Sequence, residues 1–196
     1  MSAGKAKRRA SAFRFFAGDN VRAKPQNTCV KIQAAILTVS DKGSRGERDD
    51  QSGPALVTWL AGRDVEVAVM AIVADEQPLI AAKLSEWAYI GDYDLILTTG
   101  GTGVSPRDVT PDATAMVLDR VIPGFSEVMR AASLQKTPRA MLSRGVCGIR
   151  GRTLIMNLPG SPAAAVENLE AVWEAVPHAI SKIQGDMEDC APSATK

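Results

Sequence analysis

A short apolar run that leads into a glycine-rich turn constrains the fold of this chain more than any other feature. Residues 95–97 (Leu-Ile-Leu) suit a strand covered on both faces, and glycine occupies three of the four positions 100–103. Thr110 is then predicted to be a helix N-cap and Pro111 the first helical residue. Because the N–H groups of such a turn and of a helix N-terminus attract anions, the stretch is typical of phosphate binding in α/β proteins.

The glycine pattern differs from two commoner phosphate-binding motifs. No Gly-Lys-Ser/Thr ends it, as in a P-loop, and Pro106 stands where the dinucleotide fingerprint has its third glycine. On the glycines alone, a plain strand-to-helix connection remains an alternative to a binding site. Arg107 adds a positive charge and Asp108 an acid. A carboxylate beside bound phosphate is unfavourable unless a cation lies between them, so the loop suggests magnesium.

Composition limits the class of protein and its chemistry. The 196 residues, 45% of them apolar, fit one compact domain, and no apolar run is long enough to span a bilayer or resembles a signal peptide. We therefore expect a soluble, cytoplasmic protein. Cys29, Cys147 and Cys190 are odd in number and widely spaced, which favours neither a disulfide framework nor a zinc site.

The only histidine, His178, is interpreted as structural, which excludes a Ser-His-Asp triad and a histidine-rich metal centre. Chemistry must then depend on Asp, Ser, Thr, Lys, Arg and backbone dipoles. That set suits phosphoryl or nucleotidyl transfer, in which positioning and charge neutralisation supply most of the catalysis.

The net charge of +1 hides an asymmetry along the chain. Residues 1–30 hold seven basic residues and one acidic residue, whereas the remainder holds 16 basic and 21 acidic residues. The acidic body argues against nucleic-acid binding. We predict a disordered basic leader over 1–30, with a transit-like peptide as the alternative, and a flexible tail over 186–196.

Strand and helix patterns alternate from residue 31 onward, which predicts an α/β fold. The expected form is a three-layer domain with a mostly parallel sheet and one antiparallel edge hairpin around residues 150–152. The predicted strands are 34–39, 65–73, 94–98, 146–149 and 153–158. The predicted helices are 52–60, one through 79–87, 111–121, 124–134, and a long final helix opened by Ser161 and Pro162.

Four polar loops follow the predicted strands at their carboxyl ends. They are residues 40–41, Asp75, residues 99–108 and residues 157–162. Ligands of open α/β sheets bind at that edge, so the sequence predicts a site where these loops meet.

Several long motifs resemble one family. Residues 97–114, 141–144, 148–151 and 157–161 are similar to motifs of the MogA/MoaB family of molybdenum cofactor biosynthesis, which includes the gephyrin G domain. The resemblance covers residues 31–185 in order. It implies a homotrimer that transfers AMP from ATP to the terminal phosphate of molybdopterin and releases pyrophosphate. It also allows for contact with the molybdenum-insertion enzyme.

The resemblance also assigns site residues. The family's catalytic aspartates match Asp75 and Asp108, which would hold magnesium when nucleotide is bound. The residues matching its substrate pocket are Ser40, Asp41, Thr99, Gly100, Gly101, Thr102, Gly103, Ser105, Pro159, Gly160 and Ser161.

Each assignment has an alternative. Asp75 also suits an N-cap for the helix that follows, and Asp108 also suits a turn residue that accepts local backbone hydrogen bonds. For the whole protein, the alternative is a MoaB-like or scaffold protein that binds molybdopterin without adenylyl transfer.

Overall fold

The computed structural model describes residues 31–186 of the chain. The predicted leader, residues 1–30, and residues 187–196 of the predicted tail lie outside this range, as do Cys29 and Cys190. The expectations for those segments, and the domain boundaries themselves, stay predictions. Within the described part of the chain, none of the helices has the length and apolar character needed to cross a bilayer.

The fold is built on one six-stranded sheet. Its strands are β1 (Ile32–Val39), β2 (Val65–Val73), β3 (Leu95–Thr99), β4 (Arg120–Val121), β5 (Cys147–Arg150) and β6 (Thr153–Leu158). Their order is β2-β1-β3-β6-β5-β4. The first four in that order run parallel, whereas β5 is antiparallel to both β6 and β4. The mostly parallel sheet is confirmed, and the predicted β5–β6 hairpin is present, with the two-residue strand β4 added outside it.

Seven α-helices accompany the strands in residues 31–186, and the last two follow β6. They are α1 (Asp41–Ser44), α2 (Ser52–Leu60), α3 (Gln77–Ile90), α4 (Thr110–Val117), α5 (Pro123–Leu134), α6 (Pro162–Val172) and α7 (Val176–Ile183). Short 3₁₀ segments cover Pro138–Leu142 and Trp173–Ala175.

Alternating side chains of β1 divide the core between the two faces of the sheet. Ala34 and Ile36 lie in a cluster with α2, α5, α6 and α7. Ala35, Leu37 and Val39 lie in a second cluster with α3 and α4. The sheet is therefore the middle of three layers, as predicted. Both faces of β1, β3 and β6 are buried, whereas alternate residues of the edge strand β2 are exposed.

The predicted helix 111–121 is wrong at both ends. The helix begins at Thr110, whose N-cap is Val109, and Thr110 Oγ1 is buried without a partner among residues 31–186. It ends at Val117, because the next residues join the sheet: the Asp119 N–H donates to the Ile149 carbonyl oxygen at 2.8 Å. A tertiary strand pairing has overridden the local helical pattern.

The predicted long final helix is also interrupted. After α6 ends at Val172, a 3₁₀ turn over Trp173–Ala175 precedes α7. Pro177 explains the break, since its ring cannot donate a hydrogen bond and clashes with the carbonyl four residues earlier. His178 lies on α7, as expected.

Candidate active site

The four predicted loops meet at the carboxyl edge of the parallel strands. The Ser40 N–H donates to the Val73 carbonyl at 2.9 Å, which joins the ends of β1 and β2. Thr99 Oγ1 donates to the Pro159 carbonyl at 2.7 Å, which joins the ends of β3 and β6. The structure therefore brings the predicted loops to one place.

The turn after β3 requires glycine at two positions. Gly100 has φ +103° and Gly101 has φ +61°, conformations that side chains disfavour. A Cβ on Gly100 would lie 2.3 Å from the Val39 carbonyl oxygen, and one on Gly101 would lie 2.4 Å from Thr110 Oγ1. The turn thus packs directly on β1 and on the start of α4.

This turn presents a row of unused backbone donors. Within residues 31–186, the N–H groups of Gly101, Thr102, Gly103 and Val104 have no hydrogen-bond acceptor. The turn is nevertheless held in place, since the Thr110 N–H donates to the Gly101 carbonyl at 3.1 Å. Consecutive free N–H groups form a concavity that binds anions. We call residues 101–104 the N–H cradle.

Two aspartates from neighbouring loops bind each other through their backbones. The Asp41 N–H donates to Asp75 Oδ2 at 2.7 Å, and the Asp75 N–H donates to Asp41 Oδ1 at 3.1 Å. Arg107 donates hydrogen bonds to the Asp41 carboxylate, from Nε at 3.0 Å and from Nη2 at 2.7 and 2.8 Å. Arg107 therefore neutralises Asp41 in this structure and does not point a free charge at the turn.

The two carboxylates consequently have opposite pKa shifts. The hydrogen bond from Arg107 lowers the pKa of Asp41. Burial raises the pKa of Asp75, and the negative charges of Asp41 and Asp108 add to that rise, while a backbone hydrogen bond and Arg107 oppose it. Asp75 is thus a crowded carboxylate that a nearby cation would stabilise.

The helix-cap alternative for Asp75 is wrong. Glu76 occupies the N-cap position of α3, and no side chain caps that helix. The turn alternative for Asp108 is confirmed, because its Oδ2 accepts the Ser105 N–H at 2.8 Å. A Cβ on Gly103 would lie 2.9 Å from this same oxygen, so the Asp108 carboxylate lies against the cradle.

These aspartates fit magnesium in the presence of nucleotide. Asp75 and Asp108 each retain one carboxylate oxygen, Oδ1, that accepts no hydrogen bond from residues 31–186. In the same range, no group of three or more acidic, histidine or cysteine side chains is placed to hold a metal alone. Magnesium commonly uses one or two carboxylates and completes its shell with water and phosphate oxygens, as such a pair would require.

The glycine turn has a cavity on each side. A cavity of about 290 Å³ is lined by the predicted residues Ser40, Thr99, Gly100 and Gly160. A second, of about 250 Å³, is lined by the predicted residues Thr102, Gly103 and Pro159. Asp41, Asp75, Gly101, Ser105, Asp108 and Ser161 line neither.

Two predicted hydroxyls have other local roles. Ser105 Oγ accepts the Arg107 N–H at 3.3 Å and so stays within its loop. Ser161 is exposed at the N-cap of α6, where its side chain caps nothing. Its neighbours Gly160 and Pro162 line the first cavity, so its backbone borders the site.

Sequence reasoning missed two residues of this region. Asp50 lies in the first cavity and accepts hydrogen bonds from Thr38 Oγ1 at 2.7 Å and from the Ser52 N–H at 2.9 Å. An aspartate just before a helix start is a capping signal that could have identified it. Arg144 contacts the cradle loop from far along the chain, donating from Nε to the Gly103 carbonyl at 2.8 Å. No local pattern indicates that contact.

Comparison with known proteins agrees with this geometry. The profile of the family described as "Probable molybdopterin binding domain" matches residues 35–178. A Helicobacter pylori (strain J99) protein named molybdopterin adenylyltransferase is 42% identical over 157 residues, which cover 79% of this chain and 89% of the relative. Dictyostelium discoideum gephyrin is 41% identical over 81% of this chain, which corresponds to 23% of that longer protein.

Solved structures give the same result. The Thermus thermophilus molybdopterin biosynthesis enzyme MoaB is 56% identical with a TM-score of 0.75, covering 79% of this chain and 97% of that one. The region matched by the family profile, residues 35–178, contains every loop of the candidate site. The chain therefore belongs to the family of probable molybdopterin-binding domains.

Proposed function

We propose that this protein is a molybdopterin adenylyltransferase, an enzyme of molybdenum cofactor biosynthesis. It transfers AMP from ATP to the terminal phosphate of molybdopterin. The observation that carries the proposal is the N–H cradle, four unused backbone donors beside the aspartates Asp75 and Asp108. Relatives 39–42% identical to the chain carry the name of this activity.

The chemistry needs little beyond charge and position. An oxygen of the molybdopterin phosphate attacks the α-phosphorus of ATP, and the bond from that phosphorus to the oxygen of pyrophosphate breaks. Magnesium bound with the nucleotide would supply charge neutralisation on the phosphates. The cradle N–H groups would hold phosphate oxygens, and Asp75 and Asp108, each with an Oδ1 that accepts no hydrogen bond from residues 31–186, would hold the metal.

Two substrates require two binding volumes near one point. The cavities on either side of the glycine turn meet this requirement, because Gly100 lines one and Gly103 lines the other. We infer that one cavity binds ATP and the other binds molybdopterin. Phosphates from both would then reach the cradle.

Magnesium-dependent pyrophosphate release is the test. Purified protein with ATP and molybdopterin should release pyrophosphate and form adenylyl-molybdopterin, whereas omission of either magnesium or molybdopterin should stop the release. Tight binding of molybdopterin without turnover would instead support the MoaB-like or scaffold alternative.

Three further properties belong to the proposal. We infer a homotrimer, a cytoplasmic location and contact with the molybdenum-insertion enzyme, all from kinship with the family. Sedimentation equilibrium should give three times the chain mass of 20.8 kDa. A monomer that is fully active would remove the trimer from the proposal.

A further inference from the structure

Arg144 reaches across the loop that carries the N–H cradle and Asp108. Its Nε donates to the Gly103 carbonyl at 2.8 Å, and its Nη2 donates to the Asp108 carbonyl. Nη1 and Nη2 also bind the two carboxylate oxygens of Asp112 at 3.1 and 2.9 Å. One guanidinium thus joins the beginning of the loop, its end and the first turn of α4.

The contacts of Arg144 determine which way the loop's peptide groups point. In a trans peptide the C=O and the following N–H point in opposite directions. The Gly103 carbonyl is turned toward Arg144, so the Val104 N–H points away from it. The Thr102 carbonyl accepts the backbone N–H of Arg144 at 2.9 Å, so the Gly103 N–H also points away.

Both of these N–H groups belong to the cradle. We propose that Arg144 is a positioning residue of the active site, which keeps the carbonyls of the cradle loop turned away from the bound phosphate and its N–H groups turned toward it. The inference rests on the proposed function, since it assumes that the cradle holds phosphate.

The loop needs such a restraint because of its glycines. Glycine allows the turn, but it also allows the peptide after Gly103 to rotate at little cost. That rotation would point a carbonyl oxygen at the phosphate and would remove the Val104 N–H. The Nε–H···O bond to Gly103 opposes it. Within residues 31–186 no other donor reaches the Gly103 carbonyl, and Val104 is 62% exposed.

Positive charge alone does not account for this arrangement. A lysine could place one ammonium near Asp112, but it lacks the planar fork that reaches two carbonyls and a carboxylate together. The ion pair with Asp112 is itself solvent-exposed, with side chains 40% and 45% accessible, so it contributes little to folding. Arg144 should therefore matter for anion binding far more than for stability.

The test measures binding of inorganic pyrophosphate to the full chain by calorimetry, beside thermal unfolding. Arg144→Lys and Arg144→Gln should both weaken pyrophosphate binding by about tenfold to a hundredfold, since each loses hydrogen bonds to a charged donor. Their melting temperatures should change little. Arg150→Lys is the matched control: Arg150 also pairs with an aspartate, Asp119, at similar exposure, 42% and 47%, and should bind like wild type.

Chemical rescue separates geometry from charge. Methylguanidinium should restore pyrophosphate affinity to Arg144→Ala, and the same concentration of methylammonium should not. Wild-type affinity in Arg144→Lys, or equal rescue by both cations, would overturn the positioning role while leaving the cradle intact. Failure of the wild-type protein to bind pyrophosphate would overturn the cradle, and with it both this inference and the proposed function.

Discussion

At the scale of single residues, Asp75 is a carboxylate of the candidate site whose surroundings disfavour its ionised form. Its carboxylate is half-buried, near two other aspartates, and its one hydrogen bond comes from the Asp41 backbone. These surroundings oppose ionisation and raise its pKa. The ionised Asp75 carboxylate therefore destabilises the free protein, and a bound magnesium ion would offset this destabilisation.

We predict that Asp75→Asn abolishes adenylyl transfer while stabilising the fold at neutral pH. The amide oxygen can still accept the Asp41 N–H, but the buried charge is gone. Because the folded pKa is raised above the unfolded value, the wild-type penalty is absent at low pH. It grows as the pH rises above the unfolded value of about 3.8 and is complete above the folded pKa.

Urea unfolding of both proteins at acidic and neutral pH measures this difference. The free energy of unfolding of the variant should increase relative to that of the wild type as the pH rises. A variant less stable by about 1 kcal/mol at every pH would point to a lost helix cap, contrary to the structure.

Asp108→Asn should severely reduce turnover with molybdopterin binding largely intact. The amide can keep the turn by accepting the Ser105 N–H, but it loses the charge that would hold magnesium. Pyrophosphate release and pterin binding are the two measurements. Asp119→Asn is the control, since Asp119 also accepts a backbone N–H through one carboxylate oxygen, that of Gly151 at 2.8 Å, away from the site. Normal turnover in Asp108→Asn would exclude Asp108 from the mechanism.

At the scale of elements, the turn between β3 and α4 is the part of the site that depends most on main-chain shape. Gly101→Val should abolish pyrophosphate binding, because its Cβ would lie 2.4 Å from Thr110 Oγ1 and 3.1 Å from Asp75 Oδ1. The positive φ alone should cost about 1–2 kcal/mol of stability.

Gly151→Val provides the matched control for the turn. Gly151 has φ +56°, close to the +61° of Gly101, and a Cβ there would meet nothing within 4 Å. Both variants should lose stability, but only Gly101→Val should lose affinity in titration calorimetry. Unchanged pyrophosphate affinity in Gly101→Val would show that the turn only connects β3 to α4 and binds no ligand.

The sequence predicted the elements best where local pattern and tertiary contacts agree. The nine residues of β2 were bounded correctly, since Val65–Val73 is rich in β-branched residues and ends in a polar loop. The helix predicted through residue 121 failed because Arg120–Val121 pair with Ile149 and Gly148, a contact that no local pattern encodes.

The same distinction applies to the site. Strand ends and glycines placed the loops correctly, since parallel strands share one carboxyl edge. Arg144 was missed because its contacts with Gly103 and Asp108 join residues 41 and 36 positions apart. Such a contact follows from the folded path of the chain and from no spacing within it.

At the scale of the whole molecule, the charge of the chain is divided between its leader and its body. Deleting residues 1–28 removes seven basic residues and one acid, which changes the formal net charge from +1 to −5. The truncated protein should keep the oligomer and the magnesium-dependent reaction, and should bind an anion exchanger more strongly. Sedimentation and pyrophosphate release measure these properties. Loss of assembly would show instead that Phe13, Phe15 and Phe16 pack on the body.

The placement of the described chain's two ends has a practical consequence. Ile32 begins β1 at the amino edge of the sheet, and Gln184 contacts Asp94 just before β3, so both ends lie at that edge. The eight residues of β1 separate it from the cradle edge by about 26 Å. A fluorophore, an affinity tag or a whole second enzyme fused at either end would therefore leave the mouth of the site open.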